Sequence, residues 1–133
     1  MLKTVGMRHL ALKVSDLARA KDFYMRVFGM RLVWQPDADN AYLSSGCDNL
    51  ALHHDRNPVN HQGALDHLGF IAASLEDLRS GYEWVRSNSV DIVNPLRQHR
   101  DGSSSFYVKD PDGNLIQLLY EPSISPMRWV KPA

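Results

Sequence analysis

His9 and His67 head two copies of one pattern, and that repetition limits the fold more than any other feature of the chain. The first copy reads His9-Leu-Ala-Leu-Lys-Val and runs into an amphipathic stretch ending at Gly29. The second reads His67-Leu-Gly-Phe-Ile-Ala and runs into another ending near Ser87. Aligning the two histidines also aligns Leu10 with Leu68, Leu17 with Leu75, Tyr24 with Tyr82 and Val27 with Val85. A repeat in register is expected to build two similar modules. A histidine at the head of each points to one metal centre with a ligand from each half.

The local patterns support this division. Met7 to Val14 alternates as a strand, with Leu10, Leu12 and Val14 on one face and His9, Ala11 and Lys13 on the other. Ser15 or Asp16 is a fitting N-cap. Leu17, Ala20, Tyr24, Val27 and Phe28 follow at helical spacing, and Gly29 suits the C-terminal cap. Arg31–Gln35, Ala41–Ser45 and Asn49–His54 are expected strands, and Asp55–Gly63 a linker. The second half repeats the order. Leu65–Ala73 reads as a strand with His67, Gly69 and Ile71 on one face. Ser74-Leu-Glu-Asp77 has capping-box spacing and opens a helix with Leu75, Leu78, Tyr82 and Val85 along its stripe. Ile92–Val93, Ser104–Lys109 and Leu115–Tyr120 supply strands, the last two joined by the turn Asp110-Pro-Asp-Gly-Asn114.

The expectation is therefore an α+β domain over residues 1–133, with module one at about 5–55, module two at about 64–122 and a tail at 123–133. Two βαβββ modules would form two mixed sheets, each with a helix on its convex face. The opposite face, carrying His9 and His67, would line a cavity.

Composition excludes several functions. Fifteen basic and fifteen acidic residues balance to a formal charge of zero, and no basic run exceeds two residues. Nothing would draw the chain to nucleic acid or an anionic membrane. No window approaches the roughly 20 apolar residues of a membrane span. The N-terminus lacks the apolar core of a signal peptide, and a lone Cys47 fits a reducing compartment. A cytoplasmic protein is the expectation.

Three stretches carry a family resemblance. They are His9-Leu-Ala-Leu-Lys-Val-Ser-Asp-Leu with Asp22-Phe-Tyr and Phe28-Gly, then Asp66-His-Leu-Gly-Phe, then Phe106-Tyr-Val-Lys-Asp-Pro-Asp-Gly-Asn-Leu-Ile-Gln-Leu. In this order and spacing the chain resembles the vicinal oxygen chelate superfamily, which includes glyoxalase I, fosfomycin-resistance enzymes, methylmalonyl-CoA epimerase, extradiol dioxygenases and bleomycin-resistance proteins. The resemblance spans Met7 to Pro122. It implies a glyoxalase-like cup of two βαβββ modules around a divalent metal, often completed by a second chain.

The resemblance also implies a ligand set, with His9, His67 and Gln117 at the three metal positions. Gln117 departs from the usual Glu. A neutral amide oxygen can ligate, but it gives up the charge attraction of a carboxylate. Glu121 lies on the same strand face, roughly 13 Å along it by strand rise, too far for simple substitution. Glyoxalase- and epimerase-type members add a fourth ligand, and the matching Ala51 cannot ligate. The three-ligand pattern of fosfomycin-resistance and extradiol enzymes is the nearer match. The extradiol signature maps onto His99, Phe106, Tyr107 and the Asp110 turn, which makes Tyr107 and His99 the candidate catalytic residues; Arg97 does not fit it.

Beside these stand His53, on the strand face of Asn49 and Ala51, and Arg100, a possible anchor for an anionic group; both are candidate substrate-binding residues. His54 and His61 read as solvated. Cys47 reads as inert, and Trp34 and Trp129 as core or interface. Two functions remain open. One is a metal-dependent enzyme, using Fe, Mn, Ni or Zn, for a small substrate with vicinal oxygens. The other is a metal-free binding protein of the bleomycin-resistance type. A homodimer is expected, because exposed sheet edges invite a second copy, with Met127, Trp129 and Val130 as candidates for clasping it.

Overall fold

A computed structural model of the chain describes residues 1–57 and 63–126. The expectations for His61 and for Met127, Trp129 and Val130 fall outside those residues. Ten elements run twice through one order: β1 (His9–Val14), α1 (Leu17–Phe28), β2 (Arg31–Trp34), β3 (Asn40–Ser44), β4 (Asn49–His54), then β5 (Leu68–Ile71), α2 (Leu75–Ser87), β6 (Ile92–Gln98), β7 (Ser104–Lys109) and β8 (Leu115–Tyr120). The chain divides into two compact units, one holding β1–β4 and α1, the other β5–β8 and α2.

In the first unit the sheet order is β1-β4-β3-β2. β1 runs parallel to β4, and the remaining pairs are antiparallel. The parallel pair follows from the crossover through α1, since parallel neighbours need a long connection. Asp16 caps α1, its carboxylate accepting from Arg19 N at 2.9 Å. Gly29 closes the helix at φ 64°, a left-handed value at which a Cβ would be strained. Leu17, Ala20, Phe23 and Tyr24 form the buried stripe. They cover the sheet face that holds Leu12, Val14, Leu43, Leu50 and Leu52. Each such aliphatic side chain contributes about 1.5–3 kcal/mol on burial.

The second unit repeats the topology as β5-β8-β7-β6, with β5 parallel to β8. Ser74 caps α2 and accepts from Asp77 N at 3.0 Å. The box closes differently from its usual form: the Asp77 carboxylate takes the Ser74 hydroxyl at 2.6 Å. α2 packs Leu78 and Val85 against the sheet, and Tyr82 meets Phe106 with ring centroids 5.2 Å apart. Phe106, Val108 and Ile116 are buried on this face.

Three expected strand limits are corrected. β1 begins at His9, not Met7, because its partner β4 begins at Asn49, directly opposite. β5 spans Leu68–Ile71, not Leu65–Ala73, so His67 stands one residue ahead of the strand. The partner β8 starts only at Leu115, after the turn, so Leu65 and Asp66 lie ahead of the paired stretch. β6 extends to Gln98, well beyond Val93. Pro95 would normally end a strand, but β6 is at the sheet edge, where a missing N–H costs nothing. The pairing shifts between Asn94 and Arg97, which accommodates the ring.

The Asp110–Asn114 turn forms as expected, with Gly113 at φ 85°. Asp110 is buried and accepts from Asp112 N at 3.0 Å, Asn114 N at 2.8 Å and Asn114 Nδ2 at 2.8 Å. Asp110→Ala is expected to lower stability by about 2 kcal/mol, since it strands these donors. A urea midpoint unchanged from the parent would show that the turn holds without them.

Candidate functional site

In the first unit the face away from α1 carries His9, Asn49, Ala51, Tyr42, Trp34, His53 and Asn40. His9 Nδ1 lies 2.7 Å from Asn49 Oδ1, across the β1–β4 pair. His53 Nδ1 lies 2.6 Å from Asn40 Oδ1, across β3–β4. An amide oxygen only accepts, so both ring Nδ1 atoms donate, and in the neutral ring Nε2 keeps a lone pair. Trp34 stacks on Tyr42 at 5.2 Å, and Tyr42 meets the His53 ring edge-on at 5.9 Å. Trp34 is 58% exposed rather than core. Ala51 is fully buried. His54 is bonded to Asp39 at 2.9 Å, a more engaged residue than the sequence indicates.

The second unit draws together most of the expected site. Gly69, Gln117, Tyr107 and Asn94 form one row across β5, β8, β7 and β6. Tyr107 and Gln117 are direct cross-strand partners, as the hairpin turn requires. The row below holds Ile71, Leu119, Ser105 and Arg97. His67 reaches this face from just ahead of β5, its ring edge-on to Tyr107 at 5.4 Å. Its Nδ1 lies 2.5 Å from Asp66 Oδ2. A carboxylate on Nδ1 orients the ring and leaves Nε2 as the donor atom, the arrangement found behind metal-bound histidines.

His99 follows β6 and is held by its main chain, with His99 N donating to Ser103 O at 2.7 Å. Its Nε2 lies 2.7 Å from Ser105 Oγ, and Gln117 Nε2 donates to the same oxygen at 3.0 Å. Arg100 is exposed at the hairpin tip. An open cavity of about 680 Å³ runs along this wall, lined by Arg97, His99, Arg100, Tyr107, Gln117 and Glu121 among others. A smaller one of about 220 Å³ adjoins Asp66, Asn94, Arg97 and Tyr107. Glu121 Oε2 is engaged locally, accepting from Ser123 N at 2.9 Å and from the Ser123 hydroxyl.

Burial pushes the Tyr107 phenol above its ordinary pKa, the Asp66 charge adds to that, and the Arg97 guanidinium opposes it. The phenol therefore stays protonated at neutral pH and can donate a hydrogen bond. At the loop tip, Ser103 holds the Asp101 carboxyl below its ordinary value through its hydroxyl and its N–H.

The second unit's donors suit a divalent ion of borderline softness: the His67 ring offers Nε2, and Gln117 offers Oε1, because its Nε2 is committed to Ser105. Among the described residues no three His, Cys, Asp or Glu side chains converge. Asp66, Ser105 and Arg97 were not singled out by the sequence as parts of a site. Ser105 could have been, since it is two residues before Tyr107 and therefore on the same face.

Among the described residues no helix is long and apolar enough to cross a membrane. Metallothiol transferase FosB of Staphylococcus haemolyticus (strain JCSC1435) is 25% identical over 115 residues, covering 85% of this chain and 81% of that protein. Lactoylglutathione lyase GLX1 of Arabidopsis thaliana is 30% identical over 120 residues, covering 84% of this chain but 42% of the longer relative. The structure of a glyoxalase/bleomycin resistance protein/dioxygenase from Alicyclobacillus acidocaldarius superposes with a TM-score of 0.73 at 21% identity, over 91% of this chain and 96% of that one. That likeness establishes the glyoxalase-like α+β fold. The model of one family matches residues 6–118, through both βαβββ repeats, and the chain belongs to it: the Glyoxalase/Bleomycin resistance protein/Dioxygenase superfamily.

Proposed function

We propose that the chain is a divalent-metal enzyme of the glyoxalase/dioxygenase type, acting on a small substrate with adjacent oxygens. The observation that carries this reading is the second unit's wall, where His67, Tyr107 and Gln117 meet with His67 Nε2 and Gln117 Oε1 left to ligate. The metallothiol transferase and lactoylglutathione lyase relatives support it. On this reading His67 and Gln117 hold the ion, which is Fe, Mn, Ni or Zn. When bound, such an ion supplies positive charge that polarises the substrate's oxygens.

The chain's own residues do the rest. Tyr107 keeps a proton on its phenol oxygen beside the ligands and can donate it to a developing negative charge. His99 lines the same cavity and stands with it as a candidate catalytic group. Arg100, at the cavity rim, and His53, held by Asn40, take the substrate-binding roles. The same reading makes the protein a cytoplasmic homodimer, with edge strand β2 exposing Leu32, Val33 and Trp34 to a partner.

Equilibrium dialysis of chelator-stripped protein against Mn(II), Fe(II), Ni(II) and Zn(II) tests the reading. Saturable binding of at least one ion is expected, weakened at least tenfold by His67→Ala, a ligand loss exceeding the 10–100-fold range's lower end for outer groups. No saturable binding of any of the four would leave the chain as a metal-free binder of the bleomycin-resistance type.

A further inference from the structure

An amide is an ambiguous ligand. A carboxylate presents an acceptor oxygen whichever way it turns, but a glutamine turned by half a rotation presents an NH₂ group to the cation. A glutamine that ligates therefore needs something to hold its orientation. Ser105 is placed to do so. It is 1% exposed and sits on β7, one row from the Gln117–Tyr107 pair on the same face. Its Oγ lies 3.0 Å from Gln117 Nε2 and 2.7 Å from His99 Nε2. A hydroxyl has one hydrogen to give. Ser105 Oγ accepts from Gln117 Nε2, and its own hydrogen can go to His99 Nε2 when that ring carries its proton on Nδ1.

The direction of this chain is Gln117 to Ser105 to His99. His99 is itself fixed by main-chain bonds on both sides of its residue, His99 N to Ser103 O at 2.7 Å and Gly102 N to His99 O at 3.2 Å. Gln117 Oε1 is then turned away from Ser105 and toward β5, over Gly69, where a glycine leaves it uncovered. We infer that Ser105 and His99 are positioning residues that lock the Gln117 amide with its oxygen toward the metal. This rests on the reading above, in which Gln117 is a ligand. It gives His99 a part that acts through Ser105, in addition to its place on the cavity wall.

The test is a double-mutant cycle read as Mn(II) affinity, from the electron paramagnetic resonance signal of the free ion. Ser105→Ala is expected to weaken Mn(II) binding about tenfold in the parent, as losing an outer-shell partner commonly does. In the Gln117→Glu background the same substitution should change affinity less than twofold, because a carboxylate has no wrong end to present. A merely structural role would weaken both backgrounds alike, and that result would overturn the inference. Should Ser105→Ala fail to fold, His99→Phe removes the acceptor at the end of the chain and carries the same two expectations. Parent protein that binds Mn(II) but is unaffected by Ser105→Ala and His99→Phe would sink this inference and leave the metal reading standing. Failure of parent and Gln117→Glu alike to bind Mn(II), Fe(II), Ni(II) or Zn(II) would sink both.

Discussion

Gln117→Glu is expected to tighten divalent-metal binding about 100-fold, or about 2.7 kcal/mol at 1.36 kcal/mol per decade. The substitution keeps the length of the side chain and adds one negative charge at the oxygen proposed to touch the cation. Even at the screened effective dielectric of a protein surface, opposite charges a few ångströms apart attract by several kcal/mol before desolvation is subtracted. The local structure accepts the change. Gln117 is half-buried between Gly69 and Tyr107 in the cross-strand row, and nothing there needs its NH₂ group except Ser105. The new carboxylate keeps an oxygen toward the ion whether or not Ser105 bonds to the other. Competition against a chelator of known affinity measures the effect. An affinity unchanged or lower in Gln117→Glu would mean that position 117 does not face the ion, and the proposed ligand set would fail.

Phe106→Ala is expected to cost about 3–5 kcal/mol of stability, the range for truncating a fully buried phenylalanine. Phe106 is 1% exposed on the helix-facing side of β7, with Tyr82 of α2 tilted against its ring and Leu118 as its cross-strand partner. Leu118 also meets α2 at Gly81, where an added Cβ would approach its Cδ2 to 3.1 Å. Helix and sheet are therefore too closely fitted to collapse into the cavity that alanine would leave. Urea unfolding followed by tryptophan fluorescence and circular dichroism measures the loss. A loss below about 1 kcal/mol would mean that the helix relaxes onto the sheet, contrary to this close packing.

Tyr107 and Gln117 show how much of the site was legible in advance. Their pairing follows from a turn whose length and glycine are written in consecutive residues, and the register of a hairpin is set by its turn. The same holds for α1 and α2, where caps, apolar spacing and the closing residue all lie within a few positions of one another. β6 was not legible, because a proline forbids a strand interior and permits a strand edge, and position in the sheet decides which applies. The limits of β1 and β5 failed for a related reason. Both are set by pairing with a parallel partner that lies far along the chain.

What the sequence determined by itself was the repeat, the element types and the face on which each candidate residue falls, because these follow from periodicity and from short-range turn and cap chemistry. Tertiary structure alone decided which atoms of those residues are available. His9 is turned by Asn49, forty positions away, and Gln117 by Ser105, twelve positions away on another strand. Which nitrogen of an imidazole keeps its lone pair, and which end of an amide points outward, depends on hydrogen-bond partners that only the assembled sheet brings within 3 Å.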